Sequence, residues 1–99
     1  MRYHLVMIVS FADRETEKVF QRNFSRRLPP DVQRVALRRL VYLHNAKELN
    51  DLLIPPSNRL EKLSGNRQRQ HSIRINSQWR ICFEWEDGAA HNVEIVDYH

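Results

Sequence analysis

A two-residue period of apolar side chains in the second half of the chain constrains the fold more than any other feature. His71, Ile73 and Ile75 alternate with Ser72, Arg74 and Asn76, and Trp79, Ile81, Phe83 and Trp85 alternate with Arg80, Cys82, Glu84 and Glu86. This pattern predicts strands that turn one face toward a core. A short polar connection at 76–78 and the pair Asp87-Gly88 are typical of hairpins. A last strand is predicted over 92–97.

The first half of the chain has a helical period instead. Asp13 can cap a first helix, whose apolar face would include Thr16, Phe20 and Phe24. The "LPPD" segment at 28–31 predicts the start of a second helix, because proline is tolerated in the first turn, and this helix should run to about Asn45. Its apolar stripe consists of Val32, Ala36, Leu40 and Leu43. Three arginines lie largely off that stripe, namely Arg34, Arg38 and Arg39.

Two short strands complete the expected architecture, one at 8–11 before the helices and one near Leu60. The sequence therefore predicts an α+β domain. A strand from the N-terminal part and two helices would pack on one face of a mostly antiparallel sheet of four to five strands. Because Trp79 and its apolar partners would face the helices, Arg80 should point away from the main core. Tyr98 and His99 would leave a neighbouring strand close by.

Composition fits one soluble domain with a modest core, with 99 residues, 41% hydrophobic and 28% charged. No apolar run approaches the roughly 18 residues that a membrane span needs. The lone cysteine, Cys82, excludes an internal disulfide, fits a reducing cytoplasm, and has apolar neighbours that indicate a buried structural thiol. No Cys/His spacing suggests a zinc site.

The chain is basic, with thirteen arginines and three lysines against twelve acidic residues, which gives a net charge of +4. Arginine's planar fork suits phosphate recognition, so nucleic acid and an acidic protein surface are both open as partners. The charges form two clusters, namely Arg22, Arg26, Arg27, Arg34, Arg38 and Arg39, and then Arg59, Lys62, Arg67, Arg69, Arg74 and Arg80, the second interrupted only by Glu61.

The stretch "NRLEKLSGNRQRQHSIRINSQWRICFEWEDG", followed by the terminal "NVEIVDYH", resembles the HigB family of toxins in the RelE/ParE superfamily. The resemblance covers Met7 to His99. It implies a single RelE/HigB-like toxin domain at 7–99, preceded by an N-terminal extension at 1–6. It also implies ribosome-dependent cleavage of mRNA in the A site, with the RNA's own 2′-hydroxyl as nucleophile and with neither a metal nor another cofactor.

The resemblance assigns roles to particular residues. The catalytic set would be Arg80, Tyr98, His99 and Asp97, and the residues contacting RNA or the ribosome would be Lys62, Arg67, Arg69 and Arg74. A loop lysine of some members falls on Ser64, and an upstream histidine falls on Glu61. These two departures leave the identity of the general base open.

Each catalytic assignment has a chemical basis and a structural alternative. Arg80 can neutralise a phosphorane-like transition state, or it can pair with Glu84 or Glu94 on the sheet face. His99 can give or take a proton near neutral pH, or it can be a tail residue without a functional role. Tyr98 can stack on a base or donate to a phosphate oxygen, or it can be an aromatic residue at the core edge. Asp97 can orient His99 or pair with an arginine. His71 should lie on the core side.

A toxin of this family implies a HigA-type helix-turn-helix antitoxin, as well as the 30S A site and mRNA as partners in the cytoplasm. Two alternatives stay open from the sequence. One is a ParE-like inhibitor of DNA gyrase with the same fold, and the other is a non-catalytic module that binds RNA or the ribosome.

Overall fold

The computed structural model describes residues 8–98, and it has the expected α+β architecture. Helices α1 (Arg14–Phe20) and α2 (Pro30–Asn45) come first. Strands β1 (Glu61–Lys62), β2 (Gln70–Arg74), β3 (Trp79–Glu86) and β4 (Ala89–Asp97) follow. The four strands form one sheet in the order β1-β2-β3-β4, and every neighbouring pair is antiparallel. Short 3₁₀ turns at Leu49–Leu53, Pro56–Asn58 and Gly65–Arg67 connect these elements.

Helix α1 begins as predicted but is shorter than its apolar pattern suggests. The Oδ1 of Asp13 accepts from the backbone N–H of Thr16 at 2.8 Å, which caps the helix. Arg22 has a φ of 66°, and the Asn23 N–H donates to the Lys18 carbonyl at 2.8 Å. These features form a Schellman-type end, so the chain leaves the helix before Phe24. The expectation that Phe24 lies on the apolar helix face was wrong, because its side chain is 65% exposed.

Helix α2 has the predicted limits, but one of its arginines is more buried than its helical position suggested. Residues of the predicted apolar stripe, including Leu40 and Leu43, are fully buried. Arg39, expected off that stripe, is only 9% exposed. Its Nη1 donates to the Oδ1 of Asn58 at 2.7 Å. This contact holds the guanidinium against the segment that connects α2 to β1.

The strand register fixes which side chains share a face. In the β3–β4 pair, Trp79 lies opposite Asp97 and Arg80 opposite Val96. The hairpin turns at Asp87 and Gly88, with φ values of 53° and 76°, which is the left-handed pair that a tight two-residue turn requires. The core lies between the helices and one sheet face. Its largest fully buried apolar side chains are Phe83, Leu40, Leu43, Leu52, Ile73, Ile81 and Val93.

The strand expected at 8–11 is reduced to two isolated parallel bridges, Ile8 to Ala90 and Phe11 to Val93. Strand β4 is irregular where the two segments meet. Asn92 has a φ of 53°, and its N–H donates to the Ser10 Oγ rather than to a ladder carbonyl. The short strand expected at 8–11 is therefore present only as these two bridges, and the sheet has four strands, within the predicted four to five. Residues 1–7, which include the predicted extension, and His99 lie outside the described residues.

Candidate active site

Arg80 lies on the open face of the sheet, as the alternation in β3 predicted. Its cross-strand neighbours are Arg74 on β2 and Val96 on β4. Trp79 packs against the core on the opposite face. The guanidinium of Arg80 is therefore separated from the helices by the sheet itself.

Three groups hold the Arg80 guanidinium in place. Its Nε donates to the Ser72 Oγ at 2.7 Å, and its Nη2 donates to the Arg59 carbonyl at 2.7 Å. The same Nη2 lies 3.7 Å from Glu61 Oε1. The acidic partner is thus Glu61, and not Glu84 or Glu94, which the sequence left open. Because the side chain is 12% exposed, its orientation is largely fixed before any ligand arrives.

Two of these partners were not recognised from the sequence. Ser72 is fully buried at the centre of β2. In the sequence, only its position among the polar residues of the alternating pattern could have indicated that it shares a face with Arg80. Arg59 adopts a left-handed conformation, with φ 47° and ψ 56°, after the 3₁₀ turn at Pro56–Asn58. Only this unusual backbone geometry turns the Arg59 carbonyl toward Arg80, and no local sequence pattern indicates it.

A row of four side chains crosses the open face beside Arg80. Pairing of the strands aligns them in the order Glu61, Ser72, Cys82 and Glu94. Since neighbouring strands are about 4.8 Å apart, the backbones of the two end residues are separated by roughly 14 Å. The row therefore places one acid near each edge of the sheet, with uncharged side chains between them.

Arg67 reaches from the 3₁₀ turn between β1 and β2 to the Glu94 end of this row. Its Nη1 lies 3.5 Å from Glu94 Oε1 and donates to Gln70 Oε1 at 2.8 Å. The Cys82 thiol lies in the floor between Arg67 and Arg80. Burial raises the pKa of that thiol, Glu94 raises it further, and Arg67 and Arg80 each lower it by less than burial raises it. Cys82 is thus a buried, protonated floor residue, as its apolar neighbours suggested.

A second arginine-rich feature adjoins Arg80 at the end of β2. An open cleft of about 730 Å³ has no acidic residue in its lining, which consists of Arg39, Pro56, Ser57, Arg59, Arg74, Ile75 and Asn76. Burial lowers the pKa of Arg39, and its Nε has no hydrogen-bond partner among residues 8–98. Such a cationic lining favours an anion. Arg74 links this cleft to Arg80, since the two residues are cross-strand neighbours.

Two of the residues predicted to contact RNA lie elsewhere. Lys62 is opposite His71, and both line a cleft of about 330 Å³ together with Arg69. His71 stacks on Phe83 with ring centroids 6.1 Å apart, and burial lowers the pKa of its imidazole. These features agree with a core-side His71. The structure therefore places Arg74 beside Arg80, whereas Lys62 and Arg69 share the cleft with His71. Arg67 and Arg69 also line a further cleft of about 380 Å³.

At the end of β4, the predicted catalytic residues do not all lie on the same face of the sheet as Arg80. Asp97 lies opposite Trp79, on the side of the helices, and its Oδ1 accepts from Gln78 Nε2 at 3.1 Å. The N–H of Tyr98 donates to the Gln78 carbonyl at 2.6 Å, and Tyr98 is 39% exposed. Asp97 therefore lies on the face opposite Arg80, and Tyr98 follows the last residue of β4.

Metal-ligand clusters and membrane-spanning helices are both absent from residues 8–98. No group of His, Cys, Asp and Glu side chains in this part of the chain could hold a metal ion. Within the same residues, no helix has the length and apolar character that crossing a membrane requires.

A small α+β domain with a basic sheet face, a fixed guanidinium and an adjoining arginine cleft defines a protein suited to bind phosphate groups. Residues 9–99 match the family described as the RelE-like toxin of the type II toxin-antitoxin system HigB. The chain belongs to this family, which confirms the resemblance seen in its sequence. It is therefore a toxin of a type II toxin–antitoxin system, and such membership implies an antitoxin partner.

Relatives from several bacteria support this assignment. "Toxin HigB-1" of Vibrio cholerae serotype O1 is 39% identical over 87 residues, which cover 87% of this chain and 92% of that protein. "Endoribonuclease HigB" of Proteus vulgaris is 32% identical over 98 residues, covering 94% of this chain and all of that protein (100%). An uncharacterized protein of Haemophilus influenzae is 31% identical over 67 residues, covering 68% of this chain and 66% of that protein.

Proposed function

We propose that this toxin is a ribosome-dependent endoribonuclease that cuts mRNA in the A site and so inhibits translation. The observation that carries the proposal is the Arg80 guanidinium, which Ser72 and the Arg59 carbonyl hold on the open sheet face. The name of the Proteus vulgaris relative, "Endoribonuclease HigB", supports an activity on RNA. In the proposed reaction, the 2′-oxygen attacks the adjacent phosphorus and leaves a 2′,3′-cyclic phosphate.

This reaction makes three demands on the protein. The 2′-hydroxyl must lose its proton, the phosphorane-like transition state must be neutralised, and the departing 5′-oxygen must gain a proton. Arg80 meets the second demand, because its positive charge offsets the negative charge of the non-bridging oxygens and its Nη1 is not engaged by Ser72 or by the Arg59 carbonyl. The ribosome meets a further need by holding the codon in an in-line geometry, which is rare in free RNA.

The terminal residues take the remaining assigned roles in the proposal. His99 donates the proton to the 5′-oxygen, since imidazole titrates near neutral pH. Tyr98 stacks on a base or donates a hydrogen bond to a phosphate oxygen. Asp97, on the other face, orients the terminal segment through its hydrogen bond with Gln78. Side chains thus supply the proposed transition-state and leaving-group functions, and the mechanism uses no metal.

The arginine cleft extends the proposed RNA contact beyond the scissile phosphate. Arg59 and Arg74 line it beside Arg80, and Arg39 adds a third positive charge. Together with Arg67 at the other end of the face, they would bind the phosphodiester backbone on both sides of the cut. Lys62 and Arg69, in the separate cleft, would contact ribosomal RNA, and each such contact would increase the salt dependence of binding.

The proposed partners follow from the family and the chemistry. A HigA-type helix-turn-helix antitoxin would neutralise the toxin, and the 30S A site with its mRNA would be the target. Ribosomes are its site of action, so the proposal locates the protein in the cytoplasm. The proposed domain is 7–99, with 1–6 as an extension. If this division is right, a protein started at Met7 inhibits growth as strongly as one started at Met1.

The decisive experiment is in vitro translation of a defined mRNA, followed by primer extension. The toxin should produce breaks in the A-site codon, and Arg80→Ala should reduce the cleavage rate by at least about 100-fold. Arg80→Lys should recover only part of the rate, because it keeps the charge but not the fork. Arg38→Ala is the matched control, since Arg38 is exposed on α2.

Other outcomes would overturn the proposal in different ways. Inhibited translation with intact message would indicate a binding module without catalysis. Loss of DNA supercoiling activity by gyrase, with translation unaffected, would indicate a ParE-like activity. A 2′-deoxy nucleotide at the cleavage position should abolish the breaks, and persistent cleavage would exclude attack by the 2′-oxygen.

A further inference from the structure

We infer that Glu94 is a positioning residue, which holds the Arg67 guanidinium on the open sheet face as a second fixed contact for an RNA phosphate. The inference rests on the proposed ribonuclease activity and deepens it. It gives a role to a carboxylate that would otherwise oppose the binding of a polyanion to this face. The structural basis is an ion pair that joins two distant parts of the chain across the sheet.

The ion pair between Arg67 and Glu94 connects a loop to the far edge of the sheet. Arg67 ends the 3₁₀ turn between β1 and β2, whereas Glu94 lies on β4, the strand at the opposite edge. The Arg67 Nη1 is 3.5 Å from Glu94 Oε1. Arg67 also lies close enough to the Cys82 thiol on β3 to lower the pKa of that thiol. The arginine side chain therefore extends over the open face.

Glu94 gives the Arg67 side chain a contact outside its own loop. The other hydrogen bonds of Arg67 are local, because its N–H donates to the Ser64 carbonyl at 3.3 Å and its Nη1 donates to Gln70 Oε1 at 2.8 Å. Both partners are three residues away in the chain. Among residues 8–98, the ion pair with Glu94 is the polar contact that ties this side chain to β4.

The ion pair leaves part of the arginine fork free for a ligand. Nη1 is the atom of Arg67 that contacts Glu94 and Gln70, and in the described part of the chain Nε and Nη2 have no polar partner. The side chains of Arg67 and Glu94 are 35% and 33% exposed, so a ligand can reach both. A guanidinium that is oriented before RNA arrives loses less conformational entropy when RNA binds. Arg80 is oriented in a similar way, through its Nε and Nη2.

Glu94→Gln distinguishes positioning from simple electrostatics. The loss of a carboxylate from an RNA-binding surface should by itself strengthen the binding of RNA. Because Glu94→Gln also releases Arg67, we expect the opposite result. Fluorescence anisotropy with a short single-stranded RNA should show binding that is weaker by about two- to fivefold. The slope of the logarithm of affinity against the logarithm of salt concentration should decrease by up to about one.

Arg67→Gln removes the phosphate contact itself and should have the larger effect. Binding should weaken by about 10-fold, and the salt slope should decrease by about one. In single-turnover cleavage on the ribosome, both variants should raise the toxin concentration that gives the half-maximal rate. The maximal rate should stay within about twofold of wild type, because the proposal assigns the scissile phosphate to Arg80 and not to Arg67.

Glu84→Gln is the matched control, because it removes the same charge from β3. The Glu84 carboxylate accepts from Asn92 Nδ2 at 3.4 Å and contacts no arginine among residues 8–98. This variant should bind RNA at least as tightly as wild type. A double variant gives the second control. When Arg67→Gln is already present, Glu94→Gln should cause no further loss of binding, since the residue through which it acts is gone.

The possible outcomes separate the inference from the proposed function. Unchanged or tighter binding by Glu94→Gln would overturn the inference, and so would an equal loss with and without Arg67. In either case, A-site breaks made by the wild-type toxin would leave the proposed function standing. If the wild-type toxin makes no such breaks, the proposed function fails, and the binding measurements still decide whether Glu94 positions Arg67.

Discussion

The Arg80 Nε donates to the Ser72 Oγ across two paired strands at 2.7 Å, and the serine is completely buried. This contact fixes the plane of a guanidinium whose other end is bound by a backbone carbonyl. Preorganised donors lose little orientation entropy when a phosphate binds, so a small and open site can still act on a well-held substrate.

Ser72→Ala should therefore slow cleavage about 10-fold or more while leaving the Arg80 charge in place. The lost hydrogen bond should reduce the free energy of unfolding by only about 1 kcal/mol. Single-turnover rates and denaturant unfolding measure the two effects separately. Ser77→Ala, in the exposed connection between β2 and β3, should change neither. Equal rates for the two variants would show that Ser72 does not position Arg80.

Arg59→Gly should weaken RNA binding without unfolding the protein. Arg59 has a φ of 47°, which glycine adopts without penalty, so the carbonyl that binds Arg80 should stay in position. The loss of one phosphate contact should lower the slope of binding against salt by about one. Fluorescence anisotropy with a short single-stranded RNA tests this, with Arg59→Lys as a charge-preserving control. An unchanged slope would remove Arg59 from the RNA contact.

Asn58→Ala should destabilise the fold by about 2–4 kcal/mol. Asn58 is fully buried, where its Oδ1 accepts from Arg39 and its Nδ2 donates to the Leu52 carbonyl. The variant leaves the buried guanidinium and a carbonyl with fewer partners. Chemical denaturation should show this loss, and Ser57→Ala, which removes a longer 3.4 Å contact to Arg39, should cost less than about 1 kcal/mol.

A double variant gives an independent check of this assignment. Arg39→Met combined with Asn58→Ala should be less destabilising than the sum of the single changes, because it removes both members of the buried pair. Strict additivity would mean that the two side chains do not interact energetically.

Asp51 should make the stability of the protein dependent on pH in acid. Backbone N–H groups of Glu48 and Lys47 donate to its carboxylate and hold its pKa below the usual value of 3.8. The resulting stabilisation is present above that usual pKa and is lost as pH falls through the lower pKa of the folded state. Asp51→Asn should therefore be less stable than wild type at pH 7, and the difference should shrink in strong acid.

Denaturant unfolding at pH 7 and at about pH 2 measures this change. Glu86→Gln provides the control, because it removes an exposed carboxylate at the end of β3. A constant difference between wild type and Asp51→Asn at both pH values would contradict the role of the two backbone hydrogen bonds.

Local sequence patterns predicted the limits of α2, the cap at Asp13 and the face on which Arg80 lies. These features follow from local periods and capping chemistry, which depend on residues a few positions apart. The long resemblance also gave the family correctly. The assigned catalytic roles stay predictions.

Tertiary structure alone decided how the candidate site is assembled. The burial of Arg39, the turn of the Arg59 carbonyl and the approach of Glu61 to Arg80 join positions about 20 residues apart. Likewise, the strand register puts Asp97 across from Trp79, on the face away from Arg80. Such contacts depend on register, on a left-handed backbone and on long side chains crossing between strands, and no local pattern in the chain encodes these.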